Sequence, residues 1–101
     1  MAEDEVTEQE LVDVLSRLSV SDVLVQTLST VSALGFHRLG EQGRDLEQAR
    51  LAIEALRALV PVLGGSVPPE LTRDLEQVTA NLQLAYADAV AQSAPAPATE
   101  D

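Results

Sequence analysis

No cysteine occurs in the 101 residues, which removes disulfides, thiolate catalysis and the usual structural zinc sites together. Lysine is absent too, so permanent positive charge rests on six Arg. Against seventeen Asp and Glu these cannot build a patch that competes for a phosphate backbone, and nucleic acid is not an expected partner. Tryptophan is missing, and one Tyr and one Phe are the only aromatic side chains. The core must therefore come from the Leu, Val and Ala that dominate a 46% hydrophobic composition, a palette that favours closely packed helices. The length suits one small domain, and chains of this size bury only about two thirds of the surface they expose when unfolded, so packing must be efficient or shared.

The acidity belongs mainly to the ends. Residues 1–13 carry six acids and no base, Glu100 and Asp101 close the chain, and the rest sets nine acids against six Arg. The N-terminal run reads as a solvated, self-repelling arm, with docking to a basic partner as its alternative. The opening "MAEDEVTEQE" is acidic where a secretory signal is basic and then apolar, which points to a cytoplasmic protein.

Thr7 and Glu10 stand at capping-box spacing, followed by Leu11, Val14, Leu15 and Leu18, which predicts a short helix from about Glu8 to Leu18. Ser19, with Asp22 three residues on, repeats the capping pattern, so one bent helix and two consecutive helices both fit. The stretch Val20–Leu39 carries nine large apolar residues that cover roughly 220° of a helix circumference, more than twice a minimal amphipathic stripe. Asp22, Gln26, Ser29, Thr30, Ala33 and His37 form the remaining lane. A membrane span fails on arithmetic. Nine such residues at about −0.3 to −0.6 kcal/mol each give roughly −4 kcal/mol, and Asp22 alone takes back about 2.5 to 3.5. Gly40 is placed to supply the left-handed conformation of a helix end.

Asp45 opens the next helix as an N-cap, and Leu46, Ala49, Ile53, Leu56, Val60 and Leu63 then step by three and four. Pro61 and the pair Gly64–Gly65 end or kink that helix between Leu59 and Leu63. "VPPE" starts the last helix, whose ladder is Leu71, Leu75, Val78, Leu82, Ala85 and Ala89. Matching lengths and a short Gly/Pro link make an antiparallel helical hairpin. The expected fold is all-α: a long apolar N-terminal helix packed on that hairpin and completed by oligomerisation. Three regions follow: an acidic arm with a short helix (residues 1–18), a helical domain (residues 19–92) and a disordered Pro/Ala/acidic tail (residues 93–101).

From Leu39 onward, "LGEQGRDLEQARLAIEALRALV", a Gly turn and then "LQLAY" resemble the small bacterial DUF1844 family. The resemblance covers about residues 20–88 and rests on Leu39, Gly40, Asp45, Leu46, Glu47, Ala49, Arg50, Ile53, Leu56, Leu82 and Tyr86. The chain departs from the family pattern in a shorter loop after Gly40 and in Gln83, where many members carry Arg. The resemblance implies a cytoplasmic helical protein without an assigned activity. Actinobacterial members often lie near genes for translation factors, which implies a link to translation.

Reactive constellations are scarce. His37 is the single histidine, and Asp22 shares its lane, but fifteen residues at 1.5 Å rise part them by roughly 22 Å, so they form no dyad within one helix. The acids of "AEDE" are consecutive rather than convergent, so no metal site is expected. Glu47, Arg50, Glu54 and Arg57 have the spacing of exposed ion pairs, and Tyr86 that of a core residue with its hydroxyl at the rim. No nucleophile elbow, phosphate-cradling loop or zinc spacing is present, so no enzyme, cofactor or small-molecule ligand is expected.

The wide arc of Val20–Leu39 exceeds what a two-helix hairpin covers, and an uncovered remainder would be a larger patch than monomers tolerate. The cover is either the short first helix of the same chain or the equivalent helix of a second copy; the second copy is the preferred reading, through Val20, Leu24, Leu28, Val31 and Gly35. The small residues Ser29, Ser32, Ala33 and Gly35 would let helices approach closely. The expected function is that of a non-enzymatic, homo-oligomeric interaction module, a homodimer being the simplest form. The alternative is an obligate subunit or adaptor that docks this helix on a different protein, linked to translation.

Overall fold

Thr7 starts the first helix by the mechanism its spacing predicts. Its hydroxyl accepts from the Glu10 amide at 3.1 Å, and its own amide donates to the Glu10 carboxylate at 3.0 Å. The structure, a computed structural model, describes residues 7–93; the N-terminal acids before Thr7 and the tail after Ser93 lie outside the described residues. Helix α1 runs Glu8–Arg17. Leu18 and Ser19 are both extended, which settles the choice between one bent helix and two in favour of two. Ser19 then caps α2 (Val20–His37), its hydroxyl accepting from the Asp22 amide at 3.0 Å.

The turn after α2 differs from the expectation placed on Gly40. Among the described residues Gly65 alone has positive φ, at 85°. Gly40 instead donates to the His37 carbonyl at 3.2 Å, and the Asp45 amide closes the loop on the Arg38 carbonyl at 2.8 Å. Asp45 caps α3 (Leu46–Leu59) by accepting from the Gln48 amide. Pro61 lacks an amide hydrogen, and the helix tightens into a 3-10 turn over Val60–Leu63. Helix α4, Pro69–Ser93, begins with proline at its first position, where an amide hydrogen has no intrahelical partner anyway. At 25 residues it outruns the 14 of α3 and the 3-10 turn that follows, so the hairpin arms are not of matching length.

The fold is all-α. Helix α3 packs on α2 and on α4, and α2 also touches α4. Leu28 of α2, Leu56 of α3, Leu63 of the 3-10 turn and Leu82 of α4 are fully enclosed and form the centre of the core. Gly35 sets how closely the helices approach. A Cβ there would lie 2.9 Å from Leu82 Cδ2 and 3.0 Å from the Ala52 Cβ. Leu82 can swing its end, but the Ala52 methyl moves only with its backbone. Gly35→Ala therefore sets a helix-propensity gain of about 1 kcal/mol against an overpacking cost of about 1–3 kcal/mol. The expected result is a net loss of roughly 1 kcal/mol, read as a lower urea midpoint at unchanged slope.

Arg44, to which the sequence reading assigned no role, ties the α2–α3 loop to the end of α4. Its Nη2 donates to the Leu39 carbonyl at 2.8 Å, and its Nη1 to the Ala89 carbonyl at 3.4 Å and the Ser93 hydroxyl at 3.1 Å. A guanidinium beside the carbonyls at a helix C-terminus also complements the helix dipole. Helix α1 stands apart: it touches none of the other three helices, and none of its residues is buried.

Candidate interaction surface

Of the five residues assigned to an interface, Val20 is the most accessible, at 77% exposure, and Leu24 and Val31 are half-buried. Leu28 and Gly35 belong elsewhere. Leu28 is 0% exposed, so a second protein could not reach it without opening the subunit, and Gly35 is buried against Leu82 and Ala52, meeting the surface only as the floor of a groove. The small-residue approach expected between subunits takes place, at Gly35, inside one.

The accessible apolar lane of α2 is displaced around the helix from those two residues. Val20, Thr27 and Leu34 recur at seven-residue intervals, within about 40° of one another at 100° per residue, with Val23 beside them. All four are exposed, Leu34 at 54%. Next to the C-terminal half of this lane the close contact of α2 with α3 at two small residues leaves a groove of about 320 Å³, floored by Gly35 and Ala52 and walled by Val31, Leu34, Leu51 and Ala55. Among the described residues Arg38 is its only charged lining residue and Gln48 its only amide, so it offers hydrocarbon contact with one positive edge. Leu51 is 57% exposed and was missed from sequence. Its signal was present, since it falls off the α3 ladder and an apolar residue off the ladder points away from the core.

Helix α1 presents a second apolar stripe. Leu11, Val14 and Leu15 on the helix and Leu18 at its extended C-cap are each about half exposed, and Glu8, Glu10 and Asp13 share the helix with a single Arg17.

The remaining candidates are dispersed. Asp22 lies in the first turn of α2 and His37 at its last residue, so an uninterrupted helix holds them apart. His37 is exposed, and its ring covers Gly43, where a Cβ would fall 2.5 Å from Nε2. In the row Glu47, Arg50, Glu54 and Arg57, one ion pair forms among the described residues: Arg50 to Glu54 at 2.7 Å, with both side chains more than half exposed. Such a pair is worth a few tenths of a kcal/mol. Tyr86 is half-buried against the core. Among the described residues no group of His, Cys, Asp and Glu converges as metal ligands, and no helix is long and apolar enough to cross a membrane. The residues "AEDE" lie outside the described region. The chain matches no protein-family model, no curated protein and no solved structure.

Proposed function

We propose that this chain is a non-enzymatic helical module of the cytoplasm that pairs with a second copy of itself through the exposed lane of α2. The observation that carries this reading is the spacing of Val20, Thr27 and Leu34. Thr27 lies midway, so a two-fold axis beside it sets Val20 of each subunit against Leu34 of the other, the two α2 helices running antiparallel. A two-fold contact must be self-complementary, and a lane symmetric about its own midpoint meets that condition. No charged side chain interrupts it, so the acidic surplus stays outside the contact. The resemblance to DUF1844 supports a helical protein and adds no activity.

Size-exclusion chromatography with light scattering, run from micromolar to submillimolar concentration, tests the reading. The expected mass is that of two chains, falling toward one on dilution. One chain's mass throughout that range overturns it.

A net charge of −11 per chain supports a second reading, since two copies double it and a basic partner would neutralise it. In that case the lane docks on a different, basic protein. Purification of the untagged chain from its native cytoplasm then yields one stoichiometric companion, and recovery of this chain alone excludes it.

A further inference from the structure

We propose that α1 is an exchanged arm: the α1 helix of each subunit lies in the α2–α3 groove of the other, with Leu11, Leu15 and Leu18 facing Leu34, Leu51 and Ala55. This rests on the pairing proposed above and names the segment that completes it.

Three observations lead there. The first is the state of α1 itself. A ten-residue helix is marginal in water, and most helices gain their stability from packing an apolar face. Helix α1 has such a face and packs it on nothing among the described residues of its own chain. The second is reach. Folded back along its own α2, α1 extends about 15 Å from Ser19 at 1.5 Å per residue, which brings Glu8 level with Ser29 and no further. The groove continues past that level to Arg38 and, on α3, to Gln48. With two α2 helices antiparallel, by contrast, the arm of the second copy starts near Leu34 and runs over the groove from there. The third is charge. Arg38 has no carboxylate within ion-pair distance among the described residues, and the helix proposed to cover its groove carries three acids and one Arg. Interface size agrees: stable contacts take about 20–30 residues a side, and the lane and groove alone supply roughly half of that.

The absence of cysteine permits a direct test on the full chain. One preparation carries Leu15→Cys, another Leu51→Cys, and the two are mixed, exchanged and mildly oxidised. A covalent dimer joining the two different chains is expected, and Leu15→Cys mixed with Leu84→Cys, an exposed position on α4 outside the groove, should give at least tenfold less. In parallel, Leu11→Glu/Leu15→Glu should weaken dimerisation at least tenfold, with the helical signal of α2–α4 intact because α1 contacts none of them. A doubly substituted chain that dimerises as tightly as the unaltered one, or cross-linking no greater than in the Leu84→Cys mixture, overturns the exchange and leaves the α2 pairing standing. An unaltered chain that is monomeric overturns both.

Discussion

Leu28→Glu is expected to leave the chain unfolded, and Leu28→Ala to remove about 3 kcal/mol of folding free energy. Leu28 has no exposed surface and sits where α2 meets α3 and α4, among Leu56, Leu63 and Leu82. Alanine there removes three carbon atoms from a close-packed volume. The loss combines their transfer free energy with the cavity left behind, which together span about 2–5 kcal/mol for Leu→Ala in other cores. Small domains hold roughly 5–15 kcal/mol in total, so the alanine variant should melt well below the unaltered chain while remaining folded in the cold. Glutamate adds the desolvation of a carboxylate with no partner, several kcal/mol more, which exceeds what is left. Far-UV circular dichroism against urea checks both variants: an earlier midpoint at unchanged slope for alanine, and no cooperative transition for glutamate. A folded monomer from Leu28→Glu would mean that this side chain belongs to an interface rather than to the core.

The position of Leu28 illustrates what was legible in the sequence and what was not. Helix starts were legible because a cap is a local event: Thr7, Ser19, Asp45 and Pro69 lie within a few residues of the amides they satisfy or replace. The ladders of α3 and α4 were legible for the same reason, since a face that steps by three and four needs no knowledge of what covers it. The rotation of α2 was not. With apolar residues around more than half of its circumference, its sequence does not distinguish the part facing the hairpin from the part facing outward. That choice is made by the helices packed on it, through Ala52 and Leu82 closing on Gly35. Val20, Leu28 and Gly35 were thus assigned to one interface, yet Val20 is exposed whereas Leu28 and Gly35 are buried within the subunit. Arg44 was illegible on similar grounds, because its acceptors at Ala89 and Ser93 lie more than forty residues away. Backbone conformation after a helix is equally a product of context, and the left-handed turn expected at Gly40 occurs at Gly65.

Leu34→Glu should separate the subunits without unfolding them, the opposite of the outcome at Leu28 six residues earlier on the same helix. In a single subunit Leu34 is more than half exposed on α2, at the outer wall of the groove. A glutamate there keeps its carboxylate in water, and glutamate is as good a helix former as leucine, so the free subunit should change by no more than about 0.5 kcal/mol. Association reverses the balance. A two-fold contact about Thr27 presses position 34 against Val20 of the other subunit, and both symmetry-related copies of the contact must then desolvate a carboxylate against hydrocarbon, an exposed i,i+4 pairing with Arg38 offsetting only a few tenths of a kcal/mol. Each such burial costs about 1–3 kcal/mol, and the pair together weakens the dimer by roughly thirtyfold or more. Light scattering should therefore find one chain's mass at concentrations where the unaltered protein gives two, while the melting midpoint under dilute, monomeric conditions stays nearly fixed. An unchanged dimer mass would mean that the α2 lane is not the contact. A dissociated and unfolded chain would mean that the subunit depends on its partner to fold, so that the Leu28 and Leu34 variants could no longer be told apart by stability alone.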